Sequence, residues 1–371
     1  MVGGGQLARM TQPAAIALGV RLTVLVASPD ESAAQVVPGA VVADEKALAD
    51  LRAFAAGCDV VTFDHEHVPP DHLRSLESSG VVVRPGSAAL LHAQDKGVMR
   101  ARLTAVGVPC PRHRIVADAG EVSAFAAEVG WPLVLKRIRG GYDGRGVWVV
   151  RSADDLTDPL RVGACLLAEE LVDYRRELSA VVARSPSGQG VAYPAVESVQ
   201  RDGICVEVVA PAPGLPADLA VEAERIALTI AAELDVVGVL AVELFETIDG
   251  RLLVNELAMR PHNSGHWSID GAVTSQFENH LRAVLDLPLG SPAPRARYTV
   301  MVNVLGGDLP ETYAAYRHVL ARDPELRIHW YGKAVRPGRK VGHVAVSGND
   351  VDDLRDRARH AAAFLRGDID E

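Results

Sequence analysis

Glu243 and Glu256 lie on either side of Asp249-Gly250, each inside an apolar run: Val239-Leu240-Ala241-Val242-Glu243-Leu244-Phe245 before it, and Arg251-Leu252-Leu253-Val254-Asn255-Glu256-Leu257 after it. Asp-Gly favours a two-residue hairpin turn. With Asp249 and Gly250 as its central residues, Glu243 falls directly opposite Glu256. Like charges facing across a ladder repel unless something positive lies between them. Paired oxygen ligands near a polyphosphate point to magnesium. The plain alternative is a solvent-facing acidic pair, which the apolar company of both strands disfavours.

The segment Lys136-Arg137-Ile138-Arg139-Gly140-Gly141-Tyr142-Asp143-Gly144-Arg145-Gly146 offers a place for such a polyphosphate. It carries four glycines in seven residues between two short strand-like runs, Leu133-Val134-Leu135 and Val147-Trp148-Val149-Val150. Glycine lets backbone N–H groups approach phosphate oxygens, and Lys136 and Arg145 add charge. A flexible hairpin tip is the structural alternative. The loop has no GK[ST] ending and opens no helix, so it is neither a Walker loop nor a dinucleotide fingerprint. Further on, Ala168-Glu169-Glu170-Leu171 ends a strand. Its backbone can read a base and its carboxylates can take sugar hydroxyls, although an ordinary charged strand end explains it equally well.

Three more stretches carry donors and acceptors. Thr62-Phe63-Asp64-His65-Glu66-His67-Val68-Pro69-Pro70 crowds polar groups at the carboxyl end of a strand, where open α/β sheets bind ligands. Glu66 reads there as an acceptor for a substrate amine or hydroxyl, and the flanking histidines make a poor metal site. In Met259-Arg260-Pro261-His262-Asn263-Ser264-Gly265-His266-Trp267, Arg260 offers a planar fork to an oxyanion, while His262, Asn263, Ser264 and His266 can bond a small polar substrate. Lys333, Arg336, Arg339 and Lys340 place four cations within eight residues. In a chain of net charge −10 that cluster reads as an anion site.

Several elements are needed to position these groups. Residues 1–95 alternate strands (Arg21 to Val26, Val60 to Phe63, Val81 to Val83) with helical patterns, which predicts a small α/β domain with a parallel sheet. Its opening, Val2-Gly3-Gly4-Gly5-Gln6-Leu7, reads as the glycine turn from a first strand into its helix. Almost no strand precedes that turn, so the natural start is expected a few residues earlier. Such a turn serves a dinucleotide, a simple phosphate or sugar, or tight helix–strand packing. A helix from about Asp95 to Val106 stops at Gly107-Val108-Pro109. Residues 96–172 follow as a compact α+β lobe carrying the glycine loop. Residues 173–290 read as antiparallel strands with helices from about Pro216 to Leu234 and Thr274 to Leu285. After the Pro-rich break from Leu287 to Pro294, residues 291–371 form a small C-terminal domain.

The 371 residues, 48% apolar and 23% charged, make a globular chain too long for one core. Its negative charge argues against nucleic acid. Cys58, Cys110, Cys165 and Cys205 form no CxxC pair, so neither a disulfide framework nor a zinc site is signalled. The apolar stretch from Ala14 to Ala27 contains Arg21 and is too short to cross a bilayer. A cytoplasmic enzyme is the expectation.

Taken in order, GGGQLARM, HEHV, QDK, GGYDGRG, NELAMRPHNSGHW and WYGKAVRPGRKVGH resemble the ATP-grasp ligases, and within them the 5-(carboxyamino)imidazole ribonucleotide synthases of purine biosynthesis, nearly end to end. GGYDGRG with HNSGHW is the specific part, since the carboxylate pair alone marks only the superfamily. The resemblance implies an ATP-grasp fold with an N-terminal pre-ATP-grasp domain, a homodimer, and condensation of 5-aminoimidazole ribonucleotide with bicarbonate driven by cleavage of ATP, with magnesium or manganese. Motif by motif, it implies that ATP is held by Lys96, Lys136, Gly140, Gly141, Tyr142, Asp143, Gly144, Arg145 and Gly146, by Glu169, Glu170, Leu171, Val172 and Glu177, and by Gln200, Asn255 and Glu256. Glu243 and Glu256 would hold magnesium. Gln6, Leu7, Glu66, Tyr142, Asp143, Arg145, His262, Asn263, Ser264, His266, Trp267, Lys333, Arg336 and Lys340 would surround the ribonucleotide. Asp143, Arg260 and Lys333 would be catalytic, Arg260 holding oxyanions and Asp143 handling the proton of the attacking amine. The chain departs from the family pattern at Lys96, often Arg, at Gln200, often His, and at Ala8, usually Gly. Another ATP-grasp carboxylase or formate-activating ligase would share the ATP half. A non-catalytic ATP sensor and a nucleotide-dependent oxidoreductase are readings from other classes.

Overall fold

The computed structural model describes residues 1–141, 146–307 and 313–369. In the first unit every pairing is parallel. Thr23–Val26 pairs with Gly39–Val42, Val2 bridges both Leu25 and Phe63, and Val61 bridges Val83. The order across the sheet is therefore Gly39–Val42, Thr23–Val26, Val2, Val61 with Phe63, then Val83. Before Phe63 the chain builds outward on one side of Val2, and afterwards on the other. At such a reversal the carboxyl ends of the strands open a crevice. Here the crevice is floored by Gly3-Gly4-Gly5 and Asp64-His65-Glu66, with the helix Gln6–Leu18 starting from the glycines. Gly3 adopts φ +102°, and a Cβ on it would lie 2.7 Å from the His65 ring and 2.9 Å from Asp64 Cβ. Only glycine fits there.

The helix Lys96–Ala105 is capped by Asp95, which accepts from Val98 N at 3.0 Å. It leads into a four-stranded antiparallel sheet ordered His113–Val116, Leu166–Glu170, Leu133–Arg137, Val147–Val150. Strand alternation decides which face is buried. Leu133 and Leu135 pack with Val116, Leu166 and Ala168 under Val122 and Phe125 of the helix Ala119–Val129, while Val147 and Val149 stay open to solvent.

A nine-stranded sheet carries the glutamates. Its main path runs Leu252–Ala258, Gly238–Thr247, Tyr174–Arg184, Val196–Arg201, Ile204–Ala210, Tyr298–Leu305, Lys340–Gly348, Arg327–Trp330. The sheet continues across the Pro-rich break, because Glu207 pairs with Val302 and Val302 with Val344. Helix Ala217–Glu233 packs Ile226 and Ile230 with Ala180 and Val182. Helix Val351–Arg366 seats Leu354, Ala358 and Leu365 with Val300, Val344 and Val346. The helices expected near 95–106 and 274–285 occur as Lys96–Ala105 and Gln276–Val284.

The glutamate hairpin closes differently from the two-residue count. Thr247 N donates to Arg251 O at 2.9 Å, which leaves Ile248, Asp249 and Gly250 in the loop, with Gly250 at φ +80°. A three-residue loop places its left-handed residue there. Pairing then runs Glu246↔Leu252, Phe245↔Leu253 and Leu244↔Val254, and a bulge at Asn255 restores Glu243 opposite Glu256. The extra turn residue and the bulge offset each other.

Candidate active site

Two cavities open around the glutamate pair. The larger, about 1390 Å³, lies between the crevice of the first unit, the strand and loop from Leu257 to Asn263, and the basic stretch Lys333 to Lys340. The smaller, about 730 Å³, lies between the four-stranded sheet and the large one. Gly141, Glu243, Glu256, His262, Asn263 and Lys340 line both. The pair thus stands where the two cavities meet.

Lys96, Lys136, Gly141, Glu169, Glu170, Leu171, Val172, Glu177, Gln200, Asn255 and Glu256 all line the smaller cavity. Gly140 lines only the larger one, and Gly146 lines neither. Tyr142, Asp143, Gly144 and Arg145 lie outside the described residues. Val134, Val147, Val149 and Phe245, which the sequence reading missed, join Leu171 in an apolar wall of this cavity. Val149 and Leu171 are each 45% exposed, which is what a slot for a flat ring leaves open.

The charges in this cavity sort themselves by partner. Lys136 Nζ lies 2.7 Å from Glu169 Oε2 and donates to Asn255 Oδ1 at 3.0 Å. Arg100 Nε meets the other Glu169 oxygen at 2.5 Å. Burial alone would raise the Glu169 pKa, but Lys136 and Arg100 outweigh it and hold it at about 2. Glu170 is engaged by Arg112, through its backbone N at 2.9 Å and Nε at 2.6 Å. Both strand-end acids thus line the cavity with their carboxylates paired to cations, where a free carboxylate for a sugar was expected. Glu177 does present one. Among the described residues it is bonded by the Tyr174 hydroxyl at 3.3 Å, and burial raises its pKa.

Arg100 is a residue the sequence reading missed. It follows Lys96 by four positions on one helix, so both lie on one face. Its guanidinium is buried, and it donates to Val254 O and Asn255 O at 2.8 Å each. It thereby fixes the bulge that brings the glutamates opposite one another.

At the junction, burial first, then Glu256 and Glu177, push the Glu243 pKa up to about 7. Lys96 Nζ rests on Glu256 Oε1. Two facing carboxylates that resist sharing negative charge are a donor set that fits a hard divalent cation. His262 Nε2 lies 3.6 Å from Glu243 Oε1. His262 Nδ1 lies 2.8 Å from Ser264 Oγ, and Ser264 N donates to it at 3.4 Å. Burial, then Arg260 and Lys340, lower the His262 pKa to about 3, so the ring is neutral.

In the larger cavity Arg260 Nε donates to Glu66 Oε2 at 2.8 Å, and Met259 N donates to Glu66 Oε1 at 3.3 Å. Burial would lower the Arg260 pKa, but the pull of Glu66 raises it, so the fork stays charged. Lys333 Nζ donates to Gln6 Oε1. Gln6, Leu7, Glu66, Arg260, His262, Asn263, Lys333, Arg336 and Lys340 all line this cavity. The Asn263 amide is buried with no partner on either polar atom among the described residues, which suits a group that meets a ligand. His65 Nε2, also on the wall, pairs with Glu45 Oε2 at 2.7 Å.

The rest of the His262 to Trp267 loop turns inward. Ser264, His266 and Trp267 line neither cavity. Ser264 Oγ bonds Ser179 Oγ at 2.7 Å, Trp267 packs edge-on to Tyr193, and His266 lies against Phe277 and His343. The 3-10 turn Asn263–Gly265 carries the chain into the core at that point. Where a ligand contact was expected of these three residues, the structure places them buried in the core.

Family models match three stretches: a ribonucleotide synthetase preATP-grasp domain over residues 1–94, an ATP-grasp domain over 101–277, and a phosphoribosylaminoimidazole carboxylase C-terminal domain over 299–357. The chain is 60% identical to the N5-carboxyaminoimidazole ribonucleotide synthase of Mycobacterium tuberculosis, over 98% of this chain and 87% of that protein. It is 48% identical to that of Corynebacterium ammoniagenes, over 98% and 91%. The N5-carboxyaminoimidazole ribonucleotide synthetase structure from Thermus thermophilus superposes with a TM-score of 0.89 at 39% identity, covering 100% of both chains. The Aspergillus clavatus synthase in complex with ADP and 5-aminoimidazole ribonucleotide superposes at 0.90 with 33% identity, covering 98% of both.

Proposed function

This chain belongs to the N5-carboxyaminoimidazole ribonucleotide synthase family of ATP-grasp ligases, and on that premise we propose how its two cavities divide the work. The reaction is the ATP-dependent ligation of bicarbonate to the exocyclic amine of 5-aminoimidazole ribonucleotide, giving the carboxyamino product, ADP and phosphate in purine biosynthesis. The observation that carries the division is the meeting of the cavities at Glu243 and Glu256.

ATP takes the smaller cavity. Its base lies against Val134, Val149, Leu171 and Phe245, its ribose hydroxyls meet Glu177, and its phosphates reach Lys136 and Lys96. Lys96 then exchanges Glu256 for phosphate oxygen. Magnesium, or manganese, held by Glu243 and Glu256 would supply charge neutralisation to the phosphates. Bicarbonate attacks the γ-phosphorus as the bond to the β–γ bridging oxygen breaks and ADP leaves, forming carboxyphosphate, and Arg260, oriented by Glu66, holds its oxyanions. The ribonucleotide takes the larger cavity, with its phosphate toward Arg336 and Lys340. Its amine forms the new carbon–nitrogen bond as phosphate leaves, and Asp143 receives the amine proton. The division of the chain at 95/96, 172/173 and 290/291, a homodimer and a cytoplasmic location belong to the same proposal, supported by the family resemblance.

The test is ADP formation with 5-aminoimidazole ribonucleotide and bicarbonate, each omitted in turn, with the carboxylated product measured in parallel. ADP release independent of the ribonucleotide would refute the reading.

A further inference from the structure

We propose that Gln276 is a positioning residue for this ligation: from the core it clamps the backbone of His262, and so holds His262 and Asn263 at the junction of the two cavities. The inference rests on the reaction proposed above. Gln276 opens the helix Gln276–Val284, is fully buried, and lines neither cavity. Its Oε1 accepts from His262 N at 2.9 Å and its Nε2 donates to His262 O at 2.7 Å. One side-chain amide thus pairs both main-chain groups of a single residue, as a neighbouring strand would. The same Nε2 lies 3.0 Å from His266 Nδ1, so the clamp also reaches the far side of the turn. Gly265 lies between these contacts, and a Cβ there would overlap the Gln276 amide.

The anchor is firm. Ser275 caps the helix by accepting from Glu278 N at 3.2 Å, Phe277 and Leu281 are buried, and Gln276 N donates to Ser268 Oγ at 2.9 Å. What it holds lies at the chemistry: His262 Nε2 is 3.6 Å from Glu243 Oε1, and Asn263 lines both cavities. A primary amide is the group this arrangement needs, because it must accept from an N–H and donate to a carbonyl and a ring nitrogen. Glutamate at this position keeps the acceptor and loses the donors. Leucine loses both.

The experiment compares the full-length wild type with Gln276→Glu and Gln276→Leu, measuring ADP, phosphate, carboxylated ribonucleotide and the melting temperature. The expected result is a fall in kcat of about 10- to 100-fold for Gln276→Leu, the scale of a small misplacement near reacting atoms, with a smaller fall for Gln276→Glu. KM for ATP should stay within about two-fold, because base and ribose contacts lie away from the clamp. Product per ADP should drop below one. A folded variant with wild-type kcat and one product per ADP, changed only in melting temperature, would overturn the inference. If Gln276→Leu does not fold, Gln276→Glu decides by the same criteria. A wild type that makes no carboxylated product would overturn the proposed function itself, and this inference with it.

Discussion

Glu169→Gln probes the charge cluster beneath the smaller cavity. The side chain is 3% exposed and is shared by Arg100 and Lys136. Glutamine keeps its shape and can still accept a hydrogen bond, but it removes the negative charge between two cations. The folded pKa of about 2, against an ordinary 4.5, gives the magnitude. A carboxylate depressed by that amount stabilises the native state by about 3 kcal/mol above the unfolded pKa, a large part of the 5–15 kcal/mol a domain commands. Because the folded pKa lies below the unfolded one, the contribution is fully present at neutral pH and is lost as pH falls from about 4.5 toward 2. The gap between wild type and Glu169→Gln should therefore be about 3 kcal/mol at pH 7 and shrink to roughly half of that or less at pH 3. Urea unfolding at several pH values reads it directly, provided the denaturant slopes stay equal. A gap independent of pH would mean that packing or a neutral hydrogen bond, and not the charge, is what Glu169 contributes.

Three further outcomes are expected. Glu256→Gln should abolish ligation while leaving the melting temperature unchanged or raised, since it relieves repulsion on Glu243 and loses only a partly exposed pair to Lys96. Near-normal turnover at saturating magnesium would remove the pair from the reaction. Arg336→Ala should chiefly raise KM for the ribonucleotide, by the equivalent of about 1.5–3 kcal/mol for one charge-assisted contact. A rise in KM for ATP instead would put the ribonucleotide phosphate elsewhere. Asp143→Asn, argued from sequence alone, should keep ATP binding and cut product by about 10²–10⁴-fold, with phosphate released in excess of product. A one-to-one ratio at near wild-type rate would leave Asp143 out of the chemistry.

Local patterns made much of this molecule legible. Hairpin counting placed Glu243 opposite Glu256, although through a turn one residue too short and a bulge it did not foresee. Propensity and spacing mark where a turn falls, but a bulge depends on what braces it, and Arg100 arrives from a helix more than 150 residues earlier in the chain. The density of donors in the His262 to Trp267 loop marked a loop that reaches both cavities without telling which of its side chains line them. His262 and Asn263 do, whereas Ser264, His266 and Trp267 do not, because a single 3-10 turn redirects them. Gln276 gave no signal, since a lone glutamine at a helix start reads as a surface residue until its partners are known. The apolar slot was hidden for a related reason: Val147 and Val149 look like strand core, and only the packed helix on the opposite face shows that theirs is the open one.

The position of Lys340–Gly348 in the large sheet sets a timetable for synthesis. This strand is translated after both of its neighbours, Tyr298–Leu305 and Arg327–Trp330, yet lies between them. The two earlier strands cannot close on each other and await a filler that emerges last. A nascent chain paused before residue 340 can already carry the ATP lobe and both glutamates, but it lacks Lys340, which lines both cavities. At about 5–20 residues per second the interval is short, yet during it the Tyr298–Leu305 edge is open to any extended partner. The lining of both cavities is therefore complete only once this strand has emerged.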